Sequence, residues 1–114
     1  MVKEYEYEIT MQLFTDYRNR VIRFTDERIH HLEYSHPEMY QQIEKIKETL
    51  FTPDYVMESK TYKYVQLFYK HYESTPVNSK YLCVVVKFKD SDNFVITSYF
   101  TDAIKKGKRI WRRK

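Results

Sequence analysis

The chain has 114 residues, enough for one domain with its own hydrophobic core. Apolar residues are 42% of it, which excludes a disordered chain, and no stretch approaches the roughly 18 apolar residues of a membrane span. The net charge of +4 is uneven: residues 105–114 hold seven Lys/Arg and no acid, while the other 104 residues hold thirteen basic and sixteen acidic side chains. The expected organisation is a single domain over residues 1–104 and a basic tail over 105–114. Such a tail either neutralises phosphates or keeps the chain soluble.

Residues 4–14 alternate. Tyr5, Tyr7, Ile9, Met11 and Leu13 fall on one face, and Glu4, Glu6, Glu8, Thr10 and Gln12 on the other. That spacing predicts a half-buried strand. Thr15 to Asn19 reads as a turn, and Val21 to Phe24 as a hairpin partner. Thr25 is a good N-cap for a helix from Asp26 to about Tyr34, with Ile29 and Leu32 on its apolar side. Arg28, His31 and Ser35 share another face of that helix.

The helical segment breaks at Ser35-His36-Pro37-Glu38, because Pro37 disfavours a helical His36. Ser35 with Glu38 three residues on fits a capping box that starts a second helix. Met39, Ile43, Ile46 and Leu50 then form one apolar stripe, ended by Thr52-Pro53-Asp54. Residues 55–60 are ambiguous. Strands are predicted over 62–72, 80–89 and 94–101. The order ββ-αα-βββ implies an α+β fold, two helices in the N-terminal half packed on a small antiparallel sheet.

Cys83 is the one cysteine, so neither an internal disulfide nor a cysteine metal site is expected. It lies in Leu82-Cys83-Val84-Val85-Val86, where a buried structural thiol and a reducing, cytoplasmic setting are the natural reading. Met1 to Glu8 carries four charges and no apolar run, so no secretory leader is expected. With one Gly in the chain, glycine-rich phosphate loops are excluded. No His-x-x-x-His pair or Cys/His spacing suggests a metal, and no cofactor is expected. Twelve Tyr and seven Phe suit either a stacking surface or ordinary strands.

The remaining polar groups fit proton chemistry. RNA cleavage by its own 2′-hydroxyl needs a base, an acid for the leaving oxygen, and a cation or donor for the phosphorane charge. His31 and His36 are candidates for proton transfer, and Arg28 for a phosphate clamp. Lys70 and His71 lie on a long strand. Thr97 and Tyr99, two apart on the last strand, can donate to a phosphate or stack a base. Each has a plainer reading as well: a surface ion pair for Arg28, the first residue of a capped helix for His36, ordinary strand positions for Thr97 and Tyr99.

Thr25-Asp26-Glu27-Arg28-Ile29-His30-His31-Leu32, then Ser35-His36-Pro37-Glu38, then a helix closing at Leu50 before Pro53-Asp54, resembles the phage-type branch of the barnase–EndoU–colicin–RelE nuclease superfamily. Val95 to Thr101 and Gly107-Lys108-Arg109-Ile110-Trp111 resemble that branch's closing strand and tail. The resemblance covers about residues 20–111. It implies metal-independent RNA cleavage on an antiparallel sheet. The matched positions are Arg28, His31, His36, Thr97 and Tyr99, with a basic strand residue, Lys70 or Lys87. His31 is expected as the main proton-transfer group with His36 as its partner. His71, Lys87, Lys108 and Arg109 are expected to bind substrate. The expected partners are RNA and a cognate antitoxin or immunity protein, with a homodimer through the first strand's edge as a further candidate. The alternative is a non-catalytic RNA- or protein-binding module on the same fold.

Overall fold

The computed structural model describes residues 11–114. The alternating segment 4–10 lies outside them. Strands β1 (Met11–Thr15) and β2 (Val21–Thr25) form the expected hairpin, with Phe14 opposite Ile22. Its turn is built on Asp16. The fully buried carboxylate accepts from the backbone N–H of Arg18 (2.9 Å) and Arg20 (2.8 Å) and from Arg20 Nε (2.8 Å). Phe14, Ile22 and Phe24 face the core, so Leu13, 63% exposed, and Met11 face outward. Within β1 the apolar set of the alternation is thus the outer one, because pairing with Ile22 turns Phe14 inward.

Helix α1 (Asp26–Ser35) starts where expected. Thr25 Oγ1 accepts from the Arg28 N–H, and Asp26 and Glu27 occupy the positive first turn. Ile29 and Leu32 are its buried side. The break differs from the capping-box reading. Ser35 is still the last residue of α1, so it does not cap a second helix. His36 leaves helical geometry (φ −132°, ψ 79°), and Pro37–Met39 makes one 3-10 turn with no side-chain cap. Gln41 takes a positive φ of 60°, and α2 begins only at Ile43, running to Phe51. Met39 is buried all the same, and with Ile46 and Leu50 it fills the space under the sheet.

Among the described residues the sheet has seven strands, not five, and is mixed. After α2 come β3 (Tyr55–Glu58), β4 (Val65–His71), β5 (Tyr81–Lys89), β6 (Asp92–Thr101) and β7 (Arg109–Arg112). Their order is β1-β2-β6-β5-β4-β3-β7. Every pair is antiparallel except β2 and β6, which run parallel with Arg23 beside Phe94. The ambiguous segment at 55–60 supplies β3. The basic segment 105–114 supplies β7, an edge strand on β3. Asp90 and Ser91, both at positive φ, make the tight β5–β6 turn whose twist suits a hairpin. A bulge leaves Ile96 unpaired, since Val85 pairs with Thr97 and Val86 with Val95. Among the described residues no helix is long and apolar enough to cross a membrane.

Both helices cover one face of the sheet, packing on Phe68, Leu82, Val84 and Phe100. Among the described residues the other face carries no helix. It holds a smaller cluster around Leu67, Tyr69 and Cys83, flanked by Tyr55, Met57, Tyr81, Val85, Tyr99 and Ile104.

Candidate active site

Strand parity decides which side chains meet on the uncovered face. Cys83 pairs with Tyr99 and Val85 with Thr97, and cross-strand partners point the same way. The segment after β6 folds back over this face. The Lys105 N–H donates to the Tyr69 hydroxyl (3.0 Å), and Ile104 packs on the small cluster. Gly107 passes so close to β3 that a Cβ there would lie 2.5 Å from the Glu58 carbonyl oxygen. Only glycine lets this strap through.

Strap, sheet and the β3–β4 loop enclose a hollow of about 680 Å³. Thr97, Tyr99 and Lys87 line it from the sheet, Lys60 and Tyr62 from the loop, and Lys105 and Lys106 from the strap. Four lysines against a single acid, Glu58, make it electropositive. Such a concavity attracts polyanions and concentrates them before any specific contact forms.

Tyr99 is the pivot. Its hydroxyl is buried beside the Cys83 thiol with no aligned hydrogen bond among the described residues, and burial pushes its pKa above the ordinary tyrosine range. The ring, and not the hydroxyl, is what the site can use. Lys105 Nζ stands 5.8 Å from the ring centroid. The His36 ring stands 6.1 Å from it, tilted by 31°. This contact follows from the break after α1. Beyond Phe94, β6 has no strand on its β2 side among the described residues, and the Pro37–Met39 turn packs against it instead. His36 Nδ1 lies 3.3 Å from Glu38 Oε1. Glu38 thus stands beside a histidine ring in place of capping a helix. Burial pushes the Cys83 thiol up to about 12, so it is an inert part of the floor.

The other expected residues are dispersed. Arg28 and His31 are exposed and line a separate recess of about 430 Å³ with Arg23, Thr25 and Glu27. Arg23 is held there by both oxygens of Asp92 (2.8 and 3.1 Å). Lys70 lies on the opposite face from Thr97 and Tyr99, because it pairs with Leu82 of the main core. Its ammonium donates to Thr52 O (2.7 Å) and Oγ1 (3.1 Å), closing the C-terminus of α2. That corrects its reading as a phosphate ligand of the cleft. His71 is on the uncovered face, in a third recess with Asp54, Tyr55, Tyr81 and Arg113. Lys108 and Arg109 belong to the β7 edge, where the Lys108 carbonyl accepts from the Glu58 N–H, and neither lines the hollow. Lys60 is a site residue that sequence reasoning passed over, and Lys105 and Lys106 entered it only as part of the basic tail. The signal for Lys105 was its place just after the last strand, but a fold-back is not encoded in spacing.

No curated protein and no solved structure matches the chain. A family model described as phage-Barnase-EndoU-ColicinE5/D-RelE like nuclease2 matches residues 2–114, nearly the whole length and including the β7 segment. The chain belongs to this nuclease family.

Proposed function

We propose that the protein is a metal-independent endoribonuclease whose active site is the basic hollow on the uncovered sheet face. The observation that carries this reading is the placement of His36, beside Glu38 and packed on Tyr99, which lines a hollow that also holds four lysines. In this mechanism a strand of RNA lies along the hollow, its phosphates facing Lys87 and Lys105. A base takes the proton of the 2′-hydroxyl, and the 2′-oxygen forms a bond to phosphorus. The P–O5′ bond breaks and an acid protonates the leaving 5′-oxygen, so the products end in a 2′,3′-cyclic phosphate and a 5′-hydroxyl. His36 is the principal proton-transfer group, and His31, in its separate recess with Arg28, contacts the strand away from the reacting phosphate. Thr97 donates to the phosphate, and the lysines offset the charge of the phosphorane. Arg28 holds a neighbouring phosphate. Tyr99 offers its ring to a base or to the imidazole. An antitoxin or immunity protein would act by covering the same hollow.

Incubating the pure protein with single-stranded RNA in EDTA, beside His36→Ala and His31→Ala, tests the reading. Cleavage by the wild type and its loss in His36→Ala are expected. Salt-sensitive RNA binding with no cleavage would replace it with the binding-module alternative. Tyr99→Phe is expected to leave cleavage unchanged and to raise stability by up to about 1 kcal/mol, since it removes an unpaired buried hydroxyl. Cleavage rate and thermal melting check both halves of that statement.

A further inference from the structure

The recess around His71 lies on the same face as the hollow. Tyr81 is two residues along β5 from Cys83, roughly 6.6 Å of strand. His71 sits directly across from Tyr81, and their rings meet edge to face at 5.6 Å. Tyr55 and Tyr81 belong to the same apolar cluster as Tyr99, so aromatic surface runs on from the hollow. The recess is about 250 Å³. Its polar wall is Asp54 and Arg113. Asp54 Oδ2 accepts from the His71 backbone N–H (2.7 Å). Asp54 Oδ1 is buried and 2.9 Å from Arg113 Nε, an ionic contact without an aligned hydrogen bond. That oxygen is a buried acceptor with capacity to spare, beside a guanidinium that is 64% exposed.

We infer that this recess is a nucleobase-binding subsite for a strand laid across the hollow, with Tyr81 and His71 contacting the base face and Asp54 and Arg113 its polar edge. The chemistry fits a base better than a bare phosphate. Aromatic rings accept any base by stacking, a carboxylate repels an anion, and an acceptor next to a donor matches the paired N–H and ring-acceptor groups of a base edge. The inference rests on the RNA reading of the hollow and extends it by one nucleotide position. It makes His71 a determinant of substrate length and not a participant in bond cleavage.

The test uses all-2′-deoxy oligonucleotides, which cannot react through a 2′-hydroxyl, so it reads binding whether or not the protein cleaves RNA. The His71 imidazole NMR signal is identified by its absence from His71→Gln. It is expected to shift on titration with a short single-stranded oligonucleotide, and not with ribose 5-phosphate or inorganic phosphate. Tyr81→Leu and His71→Gln are each expected to weaken the oligonucleotide by at least about 5-fold, the scale of one stacked base. A mononucleotide is expected to bind far more weakly than the oligonucleotide. An unshifted His71 signal, an equal shift with phosphate alone, or a mononucleotide that binds as tightly as the oligonucleotide would each overturn the inference. Binding that passes this test in a protein that never cuts RNA would sink the nuclease mechanism and leave the subsite standing.

Discussion

His36→Ala is expected to slow RNA cleavage by roughly 10²–10⁴-fold, the usual contribution of a positioned proton-transfer group. The loss should appear in the rate at saturating RNA, with the affinity of the hollow little changed, because the lysines that hold the strand remain. Folding should survive. The His36 backbone N–H bonds to Leu32 O (2.7 Å), an interaction alanine keeps, and the imidazole is partly exposed. The expected change in stability is within about 1 kcal/mol. Single-turnover rates with a melting curve check both parts. Glu38→Gln is the companion, because it keeps the shape of the partner and removes its charge. Its loss should be smaller. If His36→Ala cuts as fast as wild type while His31→Ala does not, the chemistry belongs to the Arg28–His31 recess.

Asp16→Ala is expected to destabilise the fold by about 2–4 kcal/mol, the cost of removing a buried carboxylate that accepts from two turn N–H groups and from the part-exposed Arg20 guanidinium. The substitution strips partners from two turn N–H groups and from the Arg20 guanidinium at once. Arg20 would be left stacked 3.9 Å over the Phe88 ring with no carboxylate to balance it. The damage would spread beyond the hairpin, because the Tyr17 N–H bonds to Leu50 O (2.9 Å) and ties this turn to the end of α2. A fall in the melting temperature of more than about 10 °C is expected for a domain of this size. A double substitution with Arg20→Leu should recover part of the loss, since it removes the stranded charge.

The N-terminus of α1, its Thr25 cap and the break at Pro37 were legible because each rests on local chemistry. The strands at 65–71, 81–89 and 92–101 were legible from alternation and β-branched content. Residues 55–58 and 109–112 were not, because a four-residue strand is too short to show a period. The faces were harder still. In β4 both Phe68 and the Leu67–Tyr69 set are buried, since the main core and the smaller cluster take opposite faces. Parity then says that Lys70 and Tyr69 diverge, but not which of them meets Thr97. The capping box failed for a different reason. α1 runs to Ser35, one residue past the end expected at Tyr34, which takes Ser35 out of play and leaves Glu38 beside His36. The sequence alone ranks His36 second to His31. The strand register and the packing of the break against β6 are what bring it to Tyr99, and both are tertiary.

The measurement that bears most directly on the proposed nuclease is the chemistry of the RNA ends produced in EDTA. Fragments ending in a 2′,3′-cyclic phosphate with a 5′-hydroxyl on the downstream piece, and an all-2′-deoxy strand left intact, are the expected result. Uncut RNA in EDTA, or fragments carrying 5′-phosphates, would contradict it.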